Sequence, residues 1–293
     1  MSHPAPVLIA VPAVFVLLWS SGFIGARLGL PHAEPLTFLT LRYAAVLALM
    51  LPFALAVRAP WPATAREARH IAIAGLLIQG GYLGGVFSAI HAGMSAGVVA
   101  LIVGMQPLLT AAAAGRMLGE HVARLQWAGL ALGLAGVALV VWQNISLQGM
   151  TAASLTLALL ALVSITLGML YQKRHCPSFD ARSGSVIQFA AALAATLPLA
   201  MVFETMAVRW TGEFVFALGW LALVLSVGAT TMLYRLIERG AATRVTSLFY
   251  LTPAVTAAMA WLMFDETLGT TTLAGMAIAV AGVALVNHGS STR

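Results

Sequence analysis

Ten stretches of about twenty predominantly apolar residues, set apart by prolines, glycines and short charged clusters, leave this chain one solvent in which it can fold. They run near 7–28, 36–57, 70–91, 95–116, 124–142, 151–171, 184–204, 214–237, 243–263 and 271–288. Each has the length of a helix that crosses the hydrocarbon layer of a bilayer, where a lipid-facing backbone must satisfy its own hydrogen bonds. Only 8% of the 293 residues are charged, against about a quarter in a soluble domain. The chain therefore reads as an all-α membrane protein with ten transmembrane helices. The longest connection, from about Arg58 to Arg69, leaves no room for a soluble domain. The first stretch lacks a preceding basic segment and continues into Arg27, which marks a retained helix rather than a secretory signal.

In a soluble protein a net charge of +6 would suggest nucleic acid, but here the placement of the charges matters more than their sum, and no nucleic-acid partner is expected. With a cytoplasmic N-terminus and ten spans, Arg58, Arg66, Arg69, Arg116, Arg124, Lys173, Arg174, Arg182, Arg235, Arg239, Arg244 and Arg293 fall on the cytoplasmic side. Arg27, Arg42 and Arg209 fall on the other. This is the asymmetry that orients membrane proteins, and it places both termini in the cytoplasm. The single cysteine, Cys176, excludes an intramolecular disulfide, a cysteine-based zinc site and an iron–sulfur cluster. The histidines are scattered, and Glu120-His121 lacks the spacing of a zinc motif, so neither a metal nor a cofactor is expected.

An offset of 146 residues brings the two halves into register. Gly136-Val137-Ala138-Leu139-Val140 matches Gly282-Val283-Ala284-Leu285-Val286 exactly in type, and Pro52, Pro107, Glu120 and Gly129 fall on Pro198, Pro253, Glu266 and Gly275. Between 105 and 140, sixteen of thirty-six aligned residues are identical. The chain thus divides into repeats at 1–146 and 147–293. Each holds five spans, an odd number, so the second must enter the membrane upside down; Arg27 and its counterpart Lys173 lie on opposite sides accordingly. Inverted five-helix repeats are an architecture of secondary transporters that work by alternating access.

Trp19-Ser20-Ser21-Gly22-Phe23 followed by Arg27, then Leu41-Arg42-Tyr43, Pro107-Leu108 leading to Gly119-Glu120, and Gln126-Trp127-Ala128-Gly129 resemble the drug/metabolite transporter superfamily, EamA type. Within it the chain is most similar to bacterial exporters of amino acids, aromatic ones in particular, which also handle cationic compounds such as viologens. The resemblance implies an inner-membrane location and a central cavity formed by helices 1, 3, 4, 6, 8 and 9. Helices 5 and 10 would lie outside the transport core.

Substrate sites in such folds lie near the midplane, where helices are interrupted at matching places. Pro107 and Pro253, central in helices 4 and 9, free the carbonyls of Val103 and Phe249 and are either hinges or structural kinks. Polar and aromatic residues within spans are costly in lipid and should face protein or a cavity. Trp19, Gln79, Tyr82, Gln106, Tyr171, Gln188, Tyr234 and Tyr250 form the candidate substrate wall, suited to an aromatic or amphipathic solute. Helix-to-helix hydrogen bonding is the competing role for each. Arg42, two turns into helix 2, would either attract a carboxylate or snorkel to the outer interface beside Glu34. Glu120 and Glu266 should fix the loops that follow helices 4 and 9. Small-residue spacings such as Gly129/Gly133 allow close packing within one molecule or a dimer face on helices 5 and 10. Nothing requires more than a monomer.

The expected function is export of amino acids and other small amphipathic metabolites, with small-molecule substrates and the lipid bilayer as the partners. No acidic residue stands at the middle of a span, which favours facilitated diffusion or exchange over proton antiport. A proton-coupled multidrug antiporter is the alternative, and an intramembrane enzyme a more distant one. Gly93-Met94-Ser95-Ala96-Gly97 fits a nucleophile-elbow pattern but joins two apolar helices, so no catalytic residue is assigned. Asn144-Ile145-Ser146 is a formal glycosylation acceptor, close against the membrane, that matters only in a eukaryotic secretory pathway.

Overall fold

The structure, a computed structural model, describes residues 5–142, 150–264 and 268–288. Glu266 and the Asn144-Ile145-Ser146 tripeptide lie outside the described residues. Ten helices account for the fold: α1 (Ala5–Gly29), α2 (Pro35–Ala56), α3 (Ala65–His91), α4 (Ala96–Leu118), α5 (Arg124–Val141), α6 (Ala152–His175), α7 (Ala181–Phe203), α8 (Gly212–Arg239), α9 (Ala242–Met263) and α10 (Thr270–His288). Each supplies a stretch long and apolar enough to span a bilayer. Among the described residues there is no strand, only an isolated bridge between Ala33 and Val208.

Local chemistry sets where the helices begin. Thr64, Ser95, Thr151, Asp180 and Thr211 precede α3, α4, α6, α7 and α8, each with its side-chain oxygen accepting from a first-turn N–H. Ser95, the centre of the nucleophile-like pattern, therefore caps α4 by accepting from Val98. Gly119 ends α4 in the left-handed region at φ 69°, a conformation glycine adopts without steric cost. Leu55, Phe203, Phe216 and Leu262 point outward, as a lipid-facing surface requires.

The packing follows the 146-residue offset. α1 lies against α8 and α9, while its counterpart α6 lies against α3 and α4. Gly22 of α1 admits Leu225, and Gly168 of α6 admits Ile78, each where a Cβ would clash at 2.7 Å. α5 and α10 form the most extensive helix pair and run antiparallel: Gly129 meets Gly282, and Gly136 meets Gly275. Between the two roles open to these small residues, the structure uses packing within one chain.

Four helices are interrupted, in two matched pairs. α3 widens into a π-helical turn at Leu76–Gly81 and α8 at Leu221–Ala229; the offset carries 76–81 onto 222–227. α4 breaks at Gly104 and Met105, between segments ending at Val103 and starting at Gln106. α9 tightens into a 3₁₀ turn at Leu248–Tyr250, and the offset carries 102–104 onto it. Pro107 and Pro253 thus stand in the first turn of each second segment, where a missing N–H leaves no bond unmade. They restart helices that are already interrupted rather than bend continuous ones.

Candidate substrate pathway

Two cavities lie along the interrupted helices. The smaller, of about 40 Å³, is near the midplane between α1, α2, α3 and α8; Trp19, Arg42, Gln79, Tyr82 and Thr230 are in its wall. The larger, of about 450 Å³, opens toward the face formed by the 2–3, 4–5, 6–7 and 8–9 loops, where the basic residues gather. Gln172, Cys176, Asp180, Arg182, Thr231 and Tyr234 are in its wall. Thr230 and Thr231, adjacent on α8, face one cavity each.

Arg42 is only 2% exposed and enters the bundle interior. Its Nε donates to Ser226 Oγ at 3.0 Å, and Ser226 Oγ donates to the Leu221 carbonyl at 2.9 Å. That carbonyl lies five residues back, the spacing of the π turn that contains both residues. The alternative of snorkelling toward Glu34 is corrected: Glu34 instead accepts from the Thr205 N–H and hydroxyl, at 2.7 and 2.6 Å. No carboxylate lies within 4.0 Å of Arg42 among the described residues.

Trp19, Gln79 and Tyr82 come together at the small cavity. Trp19 packs edge-on against Phe249 with centroids 5.2 Å apart, tying α1 to the 3₁₀ turn of α9. Gln79 lies inside the π turn of α3, and its Nε2 is buried without a partner. Tyr234 is in the large cavity's wall, while Gln188 lines neither cavity and sits behind that wall: Tyr234 Oη donates to Gln188 Oε1 at 3.0 Å, and Gln188 Nε2 donates to Gln172 Oε1 at 2.9 Å. Gln106, Tyr171 and Tyr250 line neither cavity. Gln106 Nε2 donates to Met169 Sδ at 2.9 Å across α4 and α6, and Tyr171 Oη lies 2.6 Å from His70 Nδ1. The Tyr250 ring fills the space left by Gly133 of α5, where a Cβ would stand 2.4 Å from it. Gln172 and Phe87 also line the cavities, and Ser226 and Phe249 contact Arg42 and Trp19; none of the four was singled out as a site residue in the sequence. Ser226 carried a signal, being the one polar side chain in Leu221–Ala229.

The two ends of the pathway differ. On the face away from the basic loops, Glu204 accepts from the N–H groups of Leu36 and Thr37 at 2.7 and 2.6 Å, and the Ala33–Val208 bridge joins the same two loops. On the basic face, Glu120 accepts from Ala242 N at 3.0 Å and lies 3.6 Å from Lys173 Nζ, which also donates to the carbonyls of Ile237 and Gly240. Glu120 therefore holds the start of α9 as well as its own loop. At the mouth of the large cavity, the Arg182 side chain hydrogen-bonds Asp180 and holds its carboxyl below the usual carboxylate range. Burial pushes the Cys176 thiol up to about 11.

The profile of the EamA-like transporter family matches the chain twice, over residues 6–142 and 152–288. The chain is 26% identical to a protein of Escherichia coli K12 named "Uncharacterized inner membrane transporter YedA", over 97% of this chain and 91% of that one. It is 27% identical to a "Probable amino-acid metabolite efflux pump" of Salmonella typhimurium, over 92% and 90% of the two chains. A solved crystal structure that is 19% identical superposes over 95% of this chain and 96% of its own with a TM-score of 0.77, which extends the likeness to the fold. Ten apolar helices and a transporter profile matched once in each half make this a multi-pass membrane transporter and not an enzyme: the chain belongs to the EamA-like transporter family.

Proposed function

We propose that this transporter exports small amphipathic metabolites, amino acids with aromatic side chains among them, across a bacterial inner membrane by alternating access. Both termini are cytoplasmic in this reading, and residues 1–146 and 147–293 are inverted repeats related by a two-fold axis in the membrane plane. The antiparallel α5–α10 pair and the matched interruptions of α3 with α8 and α4 with α9 support the inversion.

One observation carries the transport reading: the two cavities are unequal, and they touch repeat-related positions at Ala26, in the small cavity's wall, and Gln172, in the large one's. Arg42, in the small cavity, is offset by 146 from Gln188, which is bonded to two residues of the large one. The large cavity has room for a solute and opens on the basic face; the small one holds no more than a carboxylate-sized group, under the Glu204 tie. In a molecule built of inverted repeats, exchanging the two conformations opens the other side. Metabolite efflux named for a relative, together with Trp19 and Tyr82 in the wall, supports the solute class.

Purified protein in liposomes loaded with unlabelled tryptophan or phenylalanine should accumulate the labelled amino acid transiently and saturably from outside. Absence of such counterflow for every amino acid tested overturns the substrate assignment.

A further inference from the structure

We propose that the midplane cavity beside Arg42 is a carboxylate site, and that it favours aromatic monocarboxylates of net negative charge over zwitterions and cations. Its transport consequence rests on the export reading above; the binding claim stands apart from it.

The donors are in place and their acceptor is missing. Arg42 is buried with one hydrogen bond, to Ser226, and with no carboxylate within 4.0 Å among the described residues. A buried guanidinium is ordinarily paired, because its planar fork matches a carboxylate with two parallel bonds. Gln79, 3% exposed, is in the same wall and keeps its Nε2 without a partner. The Arg42 guanidinium and the Gln79 Nε2 are both donors, and the guanidinium carries the charge. Trp19, Phe23, Tyr82 and Phe87 border the cavity with aromatic surface; its volume of about 40 Å³ takes the carboxylate alone, and a ring joined to that carboxylate would lie against the aromatic border.

The repeat shows that the fold does not require this charge. The position matching Arg42 in the second half is Gln188, a neutral amide whose oxygen and nitrogen are both bonded. One half carries a satisfied amide and the other an unpaired cation, which marks the cation as a feature of the ligand site rather than of the scaffold.

No charged acceptor is provided for an ammonium. No acidic side chain lines the small cavity, and the seven acidic residues among the described ones all lie in loops or within about one turn of a span end. A zwitterion would desolvate its ammonium without a partner, and a cation would also face Arg42. An anion alone is neutralised. Carrying one negative charge outward is favoured about fifty-fold per 100 mV of interior-negative potential, so such export needs no proton-carrying residue.

The test uses three solutes with one ring: N-acetyltryptophan, tryptophan and tryptophanamide, which are anionic, zwitterionic and cationic near pH 7. Ligand-induced thermal stabilisation of the detergent-purified protein should show N-acetyltryptophan binding about tenfold or more tighter than tryptophanamide. Arg42→Gln should erase that order, while Arg42→Lys, which keeps the charge without the fork, should weaken binding but keep the order. Size-exclusion profiles confirm that both variants fold. In liposomes, labelled N-acetyltryptophan should distribute toward the positive side of a potassium diffusion potential, approaching about fifty-fold at 100 mV. Equal or tighter binding of tryptophanamide, an unchanged order in Arg42→Gln, or a distribution indifferent to potential overturns the proposal. If N-acetyltryptophan binds in the expected order but never crosses the liposome membrane, the export reading falls and the carboxylate site stands. If tryptophan crosses and the binding order is absent, the reverse holds.

Discussion

Arg42 of α2 and Ser226 of α8 meet 3.0 Å apart in the centre of the bundle, joining the two halves across 184 residues of sequence through the one hydrogen bond that this guanidinium makes among the described residues. Ser226→Ala removes an acceptor from a buried charged donor, a change that costs on the order of 1–3 kcal/mol. The expected result is a lower unfolding temperature in detergent, partly restored when a carboxylate ligand is present.

Two glutamines separate packing from function. Gln188→Leu breaks bonds to both Gln172 and Tyr234 and should destabilise the protein by about 1–3 kcal/mol. Gln79→Leu removes an amide nitrogen that has no partner, so stability should stay within about 0.5 kcal/mol. Transport in liposomes should nevertheless fall by about tenfold for Gln79→Leu; unchanged kinetics would return Gln79 to a packing role.

Cys176, at the inner wall of the large cavity, offers a pH-dependent probe of access from the basic face. With its thiol pushed up to about 11, about one molecule in three thousand is ionised at pH 7.5. Maleimide labelling should therefore be slow there and rise close to tenfold per pH unit through pH 9. An impermeant reagent should reach it only from the side that carries the basic loops.

Acid should loosen the opposite face. The hydrogen bond from the Thr205 hydroxyl holds the Glu34 carboxyl below the usual carboxylate range. A carboxylate depressed in the folded state stabilises it above the unfolded pKa, and the contribution is lost as pH falls through the folded value. The difference in unfolding temperature between wild type and Glu34→Gln should be largest above about pH 5 and shrink as the medium is acidified below the ordinary carboxylate range. A difference that stays constant across this range would place the Glu34 contribution in shape rather than charge.

Close helix contact predicts a different sensitivity. Gly129→Ala or Gly282→Ala places a Cβ 2.7 Å from the facing backbone carbonyl, which cannot move aside as a side-chain tip could. Each should lower stability by about 1–3 kcal/mol, measured by thermal unfolding, while Gly219→Ala, which meets nothing within 4 Å, should be neutral or better.

Hydropathy located all ten spans because lipid imposes length and composition together, but it could not fix their ends. α3 begins at Ala65 rather than near 70 because Thr64 caps a first turn containing Arg66 and Glu67, residues too polar for an apolar window. The π turns were not legible: Leu76–Gly81 and Leu221–Ala229 contain ordinary spanning residues, and the extra residue per turn arises from packing. Trp19, Gln79 and Tyr82 were found because polar or aromatic groups inside a span need a protein or cavity environment. Periodicity named their faces without saying which neighbour each would meet. Hence Tyr250 met Gly133, and Arg42, placed on either of two paths by the sequence, turned inward to a serine in the other half.

The glycine contact between α5 and α10 has the form of an isologous interface. Gly129 touches Gly282 and Gly136 touches Gly275, and adding 146 to the first member of each pair gives the second member of the other. A surface that recognises itself in this way is what two separate copies of one half would need in order to dimerise. The covalent link between the halves therefore joins parts that already carry complementary instructions for assembly, and it leaves each half free to acquire side chains, such as Arg42, that its twin does not share.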